Sequence, residues 1–239
     1  MPRFLTIIPA YNEQSSIAMV VADIRKALPE GDVLVVCDGS TDTTALAAAR
    51  AGAAVLVLPL NLGIGGAVQA GYRWATLHDY DVVLRLDADG QHDPAWADAL
   101  VQPILSGEAD VTIGSRFVKR LQGNHQPPPL RRLGILLFSR VVSAMTHQPI
   151  LDPTSGFRCV NQRAAAFSAR SHPYDFPEVE SVVHYAQAGF KIVEVPVVMR
   201  DRSHGTSTIT GFRAAYYAVK VLLALAVLTF GKSKFRDSP

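Results

Sequence analysis

Five short runs of branched and aliphatic residues, each closed by a polar cluster, constrain the fold of this 239-residue chain more than any other feature. The runs cover residues 4–8, 33–37, 54–58, 82–86 and 111–114. Between them, residues 13–28, 43–51, 66–77 and 94–105 carry apolar side chains at helical spacing. Near-continuous apolar strands alternating with helices predict an α/β domain with a mostly parallel sheet covered on both faces. A sheet of that kind collects ligands in the crevice beyond the carboxyl ends of its strands. Hydrophobic residues make up 49% and charged residues 18%, enough apolar mass for a large core and too little charge for a disordered chain.

The strand-end residues therefore carry the argument. They are, in order, Pro9-Ala10-Tyr11-Asn12-Glu13, Asp38-Gly39-Ser40-Thr41-Asp42, Asn61-Leu62-Gly63-Ile64-Gly65-Gly66-Ala67, Asp87-Ala88-Asp89-Gly90-Gln91-His92 and Gly114-Ser115-Arg116. A purely structural chain has no need to gather acids, amides, glycines and a base along one edge. Asp87-Ala88-Asp89 holds the most chemistry. Two carboxylates spaced i, i+2 where a buried strand breaks can turn toward one ligand, and Mg2+ or Mn2+ takes such oxygens together with substrate phosphates. Gln91 and His92 stand close enough to ligate or to orient a ligand. A solvated turn with a helix cap is the plainer account of an Asp-x-Asp. It weakens here because residues 82–86 aim a buried strand at the pair.

Asp38 suits base or ribose recognition through charge-assisted hydrogen bonds, with Thr41 or Asp42 left to cap a helix. Residues 61–67 open a helix with glycines that let backbone N–H groups approach an anion. The segment is not a P-loop, and Val68 stands where a dinucleotide fingerprint needs its third glycine. Cys37 and Cys159 lie far apart in apolar runs, and the seven histidines show no metal-ligand spacing. A reducing compartment is the simplest reading.

The second half is less regular. Residues 124–130, with three consecutive prolines, read as a loop, and 131–145 as an amphipathic helix. A turn, Asp152-Pro153-Thr154-Ser155-Gly156, leads into Phe157-Arg158-Cys159-Val160; a helix near 178–188 and a strand near 191–195 follow. No Asp or Glu occurs between Asp110 and Asp152, whereas Arg116, Lys119, Arg120, Arg131, Arg132 and Arg140 do. Residues 200–239 carry seven basic and two acidic side chains, a net of +5, against 16 and 19 before them, a net of −3. Two basic zones point to anionic partners, phosphates or a membrane surface. No signal peptide is expected, and residues 214–230, interrupted by Lys220, are too short and too basic to read as a membrane span.

In order and spacing, the strand-end clusters together resemble family-2 inverting glycosyltransferases of the GT-A fold. Gly114-Ser115-Arg116 and Asp152 through Arg158 continue the likeness, which spans about residues 4–207. It is strongest to the branch acting on dolichyl and polyprenyl phosphates. The resemblance implies a Rossmann-like GT-A catalytic domain, a mostly parallel sheet flanked by helices, over residues 1–207. A basic amphipathic C-terminal helix follows within residues 208–239. It implies a nucleotide-sugar donor, of GDP-mannose or UDP-glucose type, with contacts from Pro9, Tyr11, Glu13, Asp38, Asn61, Gly65, Asp87 and Ala88. It implies Mg2+ or Mn2+ on Asp87, Asp89 and Gln91, with Asp89 catalytic. Arg200, Arg202, His204 and Ser207 match a loop closing over the diphosphate. Cys37 stands where the family commonly carries an acid.

The acceptor follows from a missing base. Transfer to a sugar hydroxyl needs one, and relatives acting on sugars usually present a Glu-Asp pair late in the domain; no Glu-Asp dipeptide exists here. A lipid phosphate is already anionic and needs cations to hold it in line. By resemblance these are Arg116 with Arg131 or Arg132, joined by Ser139. The competing expectation keeps the fold and uses Glu178 or Glu180 as base toward a sugar hydroxyl. Another is a non-catalytic nucleotide-sugar binding module. The tail, with apolar residues at helical spacing among basic ones, suits either a helix lying in an anionic interface or one packed on the domain or in a homo-oligomer. The expected setting is cytoplasmic and peripheral, on the inner face of the membrane, with no nucleic-acid partner.

Overall fold

The computed structural model describes residues 2–119, 121, 128–200 and 212–230. The elements run β1 (Phe4–Ala10), α1 (Ile17–Ala27), β2 (Asp32–Asp38), α2 (Thr44–Arg50), β3 (Ala54–Leu58), α3 (Gly63–Leu77) and β4 (Val82–Arg85). After a 3₁₀ turn at Pro94–Trp96 come α4 (Ala97–Leu105), β5 (Val111–Ser115), α5 (Pro129–Thr146) and β6 (Arg158–Asn161). The chain continues through α6 (Gln162–Ser171), α7 (Pro177–Gln187), β7 (Ile192–Pro196) and α8 (Phe212–Phe230). The five strands read from the sequence are all present, each within two residues of its expected end.

The strands form one sheet in the order β3-β2-β1-β4-β6-β5-β7. Every pairing is parallel except the two made by β6, which runs antiparallel between β4 and β5. The strands read as continuous apolar runs because alternate residues feed two cores. Leu5, Ile7, Leu34, Val36 and Val83 face the side covered by α3, α5, α6, α7 and α8. Ile8, Val33, Val35 and Leu84 face α1, α2 and α4 on the other.

The antiparallel strand decides the position of the site. Because β6 enters the sheet from its carboxyl edge, the preceding Asp152–Gly156 turn lies beside the ends of β4 and β5. Gly114 N–H bonds to the Phe157 carbonyl at 2.8 Å. The approach is close: a Cβ on Gly156 would stand 2.9 Å from Asp87 Oδ2. Neither β6 nor α6 announces itself by periodicity. Helix α6 starts on a local signal instead, Asn161 Oδ1 accepting from Ala164 N–H at 2.9 Å.

Helix α8 packs on α5 and α7 with Val221 and Leu225 buried, while Val219, Leu223 and Val227 on its other side are exposed. Helix α5 likewise buries Ile135, Phe138 and Val142 and exposes Leu133, Leu136 and Leu137. Among the described residues, no helix is long and apolar enough to cross a membrane.

Candidate active site

The ends of β1 and β2 and the start of α3 enclose a cleft of about 350 Å³, lined by Pro9, Ala10, Tyr11, Asp38, Asn61, Gly63, Ile64 and Ala67. Asp38 is buried at the end of β2, and its Oδ1 accepts from Leu62 N–H at 2.7 Å, fixing one wall to the other. Neighbouring acids do other work. Asp42 caps α2 through Thr44, with 2.9 Å to the backbone N–H and 2.5 Å to the hydroxyl. The Glu13 carboxylate accepts from Ser16 Oγ at 2.7 Å.

The loops after β1 and β2 are sewn together by polar side chains. Asn12, in the left-handed region at φ 54°, accepts from Thr41 N–H at 2.9 Å and donates its own N–H to Ser40 Oγ. Gln14 Oε1 takes the hydroxyl and the N–H of Thr43. Sequence reasoning assigned no role to Asn12, Gln14 and Thr43, which hold the two loops at the rim of the cleft together.

Gly65 was expected to let a ligand approach. It lies instead against the backbone of Pro173 and Tyr174, where a Cβ would meet the Pro173 carbonyl oxygen at 2.3 Å. Gly63 takes φ 77° as Asn61 Oδ1 accepts its N–H at 3.0 Å. The N-terminus of α3 nevertheless opens onto the cleft, where it favours an anion.

Beyond β4 the chain turns, and Asp87 and Asp89 come to the carboxyl edge, both partly exposed, with Ala88 buried between them. Asp89 Oδ1 accepts from Gln91 N–H at 3.0 Å. His92, buried and stacked on Phe157, accepts the Asp87 N–H on Nδ1 at 3.0 Å. That bond places the ring proton on Nε2, which faces Asp87 Oδ2 at 3.7 Å. Burial lowers the His92 pKa against the pull of Asp87 and Asp89, so the ring stays neutral.

Arg85 supplies a charge the sequence reading missed. It is the last residue of β4, 1% exposed, with Nη2 at 2.7 Å from Glu178 Oε1 and 3.3 Å from Asp87 Oδ1. A charged residue within an otherwise apolar strand was the available signal. Across the β4–β6 pairing stands Arg158, equally buried, donating to the Ser155, Pro153 and Glu178 carbonyls. Burial and its proximity to Arg85 lower the Arg158 pKa.

Among the described residues, no cluster of three or more His, Cys, Asp or Glu side chains forms a metal cage. Two carboxylates with open solvent beside them nevertheless fit a Mg2+- or Mn2+-type site, which takes its remaining ligands from phosphates and water.

The basic residues divide. Arg116, expected to bind an acceptor phosphate, is buried on Asp152 instead: Nε and Nη2 each bond to its carboxylate at 2.7 Å, and Nη2 reaches Thr154 at 3.0 Å. Asp152 is fully buried, and an unpaired carboxylate there would be severely penalised, so the pair locks the Asp152–Gly156 turn to the end of β5. Ser139 is similarly occupied, donating to the Ile150 carbonyl at 2.6 Å. Arg132 is exposed in the first turn of α5, and Arg131 precedes it, its side chain outside the described set. Arg202 and Ser207 lie outside the described residues. The chain just before them runs beside the Asp87–His92 turn, Arg200 N–H bonding to the Gln91 carbonyl at 2.8 Å.

Glu178 and Glu180 open α7 but serve different surroundings, since residues two apart on a helix point to opposite sides. Glu178 is engaged by Arg85. Glu180 has its pKa raised to about 7 by burial and by Asp175.

Residues 6–167 match the family model for glycosyl transferase family 2. Undecaprenyl-phosphate mannosyltransferase of Micrococcus luteus is 35% identical over 220 residues, covering 87% of this chain and 88% of that protein. Polyprenol monophosphomannose synthase of Mycolicibacterium smegmatis is 32% identical over 220 residues, 87% of this chain and 82% of that protein. Among solved structures, glucosyl-3-phosphoglycerate synthase of Mycobacterium tuberculosis, crystallised with Mn2+, uridine diphosphate and phosphoglyceric acid, shares the fold. Its TM-score is 0.70 at 20% identity, over 96% of this chain and 79% of that one.

Proposed function

The chain belongs to glycosyltransferase family 2, and from that premise we propose that it transfers a sugar, with inversion, from a nucleotide-sugar donor to a polyprenyl phosphate. The carrying observation is that a cleft of about 350 Å³ at the ends of β1 and β2 lies on the same sheet edge as two partly exposed carboxylates beyond β4, the parallel neighbour of β1. Relatives named for polyprenyl-phosphate acceptors at 35% and 32% identity support the substrate class.

Pro9, Tyr11 and Asp38 hold the nucleoside, with Asn61 and the N-terminus of α3 closing the opposite wall. Glu13 fixes the start of α1 behind them. Asp87, Asp89 and Gln91 would hold Mg2+ or Mn2+, which when bound supplies positive charge to the departing diphosphate. By the family resemblance Arg202 and Ser207, a few residues beyond the Met199–His92 bridge, would contact that diphosphate. The acceptor phosphate oxygen forms a bond to the anomeric carbon as the bond from that carbon to the diphosphate breaks. No proton need be removed, because the attacking oxygen is already anionic. Arg131 and Arg132 at the start of α5 hold it in line, and Arg116 keeps the neighbouring turn in place. Glu178 does not suit the role of base, since Arg85 holds its carboxylate at 2.7 Å.

The acceptor's lipid calls for a membrane surface. The exposed leucines of α5 and the exposed Val219, Leu223 and Val227 of α8 lie on two helices that pack together, with Arg132, Arg140 and Lys220 exposed among them. That combination supports peripheral docking of residues 1–207 on the cytoplasmic face through α5 and the tail. Purified protein given labelled GDP-mannose or UDP-glucose, Mn2+ and a short polyprenyl phosphate is expected to form a lipid-linked sugar. Asp89→Ala is expected to abolish product while preserving the melting temperature. Undiminished turnover in that variant would overturn the mechanism.

A further inference from the structure

One buried cation is shared by two carboxylates of different elements, and the sharing is unequal. Arg85 Nη2 stands 2.7 Å from Glu178 Oε1 on α7 and 3.3 Å from Asp87 Oδ1 at the end of β4. Arg85 is 1% exposed, Glu178 19% and Asp87 35%, so the guanidinium cannot exchange either partner for water without leaving the core. Its Nε and Nη1 have no hydrogen-bond partner among the described residues, so its directional bonding runs through the one nitrogen that both acids face. The other oxygen of Asp87 has its own neighbours, His92 Nε2 at 3.7 Å and the Gly156 backbone.

We infer that Arg85 and Glu178 are positioning residues that set how strongly Asp87 attracts a divalent cation: Arg85 weakens Asp87 as a ligand for a bare ion, and Glu178 restores it by drawing the guanidinium away. The inference rests on the proposed cation site at Asp87 and Asp89. It gives Glu178 a role other than that of a base, and it ties the placement of α7 to the donor site. A bare ion meets the partly neutralised pair and binds weakly. An ion arriving with a diphosphate finds the same guanidinium favourable, because the added anion is attracted to it. Capture of the metal is thereby made to depend on the donor.

Opposite substitutions should move metal affinity in opposite directions, which a merely structural role does not do. Mn2+ alone is titrated into the full-length protein and the free ion read by electron paramagnetic resonance, with and without uridine or guanosine diphosphate. Arg85→Gln is expected to tighten bare Mn2+ binding about tenfold, a figure kept modest because Asp87 is partly screened by solvent. It should also shrink the gain in Mn2+ affinity caused by the diphosphate. Glu178→Gln is expected to weaken bare Mn2+ binding about tenfold. Arg85→Lys keeps the charge and is expected to stay within about threefold of the native protein, which covers the case in which Arg85→Gln fails to fold. Shifts of the same sign in Arg85→Gln and Glu178→Gln, or a tenfold tightening in Arg85→Lys, overturn the inference while leaving the cation site standing. No Mn2+ binding by the native protein overturns the cation site and this inference with it.

Discussion

Replacing Gly65 by alanine separates two accounts of the same residue. If the glycine exists to let a diphosphate approach the backbone, a methyl group there blocks the ligand and leaves the fold alone. The structure predicts the reverse order of damage. A Cβ at Gly65 would stand 2.3 Å from the Pro173 carbonyl oxygen and 2.6 Å from both the α-carbon and the carbonyl oxygen of Tyr174. All three are backbone atoms, so no side chain can swing aside. Helix α3 cannot retreat cheaply either, because Ala67, Val68 and Tyr72 are buried and Gly71 already lies against Ile7. The substitution therefore falls at the upper end of overpacking costs, about 3 kcal/mol. At roughly 2–4 °C per kcal/mol for a chain of this size, the melting temperature should fall by about 6–12 °C. Lifting the start of α3 also pulls Leu62 from Asp38, so donor affinity falls as a consequence. Gly63→Ala is the control. It adds a methyl group to open space at φ 77° and should cost only the left-handed penalty, about 1–2 kcal/mol. Differential scanning calorimetry and titration with a nucleoside diphosphate read the two effects. A Gly65→Ala protein that melts within about 2 °C of native yet loses donor binding refutes the packing argument.

His172 is buried with neither ring nitrogen hydrogen-bonded among the described residues, and burial together with Arg85 and Arg158 lowers its pKa well below 6.5. The unfolded chain thus binds the proton first, and stability present above pH 6.5 should fall by about 1.4 kcal/mol per pH unit below it. Because burial also lowers the His92 and His184 pKa values, chemical denaturation between pH 7 and 5 should show at least that slope, and His172→Phe should reduce it by about 1.4 kcal/mol per pH unit; an identical slope in the variant contradicts the assignment. Asp152→Asn removes the carboxylate facing buried Arg116 and should cost roughly 3–5 kcal/mol, with an unchanged melting temperature counting against the pair. Leu136→Glu and Leu223→Glu, on the exposed faces of α5 and α8, should each weaken flotation with anionic vesicles about tenfold or more at constant melting temperature. Full vesicle binding by both variants would remove those faces from the membrane.

The sequence made the carboxyl edge of the sheet legible because the first half of that edge is built from consecutive parallel strands. In such a sheet every strand delivers its C-terminal residues to one edge, so reading the residues after each apolar run is equivalent to walking along the site. Asp38, Asn61, Asp87 and Asp89 could be placed that way without any long-range contact being known. The same method fails where direction reverses. Strand β6 runs against its neighbours, so its N-terminal residues reach the edge, and nothing in the local pattern of Phe157 to Val160 states a direction. The pairing of Arg116 was not legible for that reason. Seen alone after the fifth strand it is a cation free for an anion, and only the reversed strand brings Asp152 within 2.7 Å of it. Arg85 was passed over for a related reason, since its two acidic partners come from residue 87 and from a helix 93 positions away. The availability of charge in this site is thus set largely by non-local pairing. Residue type and spacing identify what stands at the edge, but the sheet topology decides which of those charges remain available to a ligand.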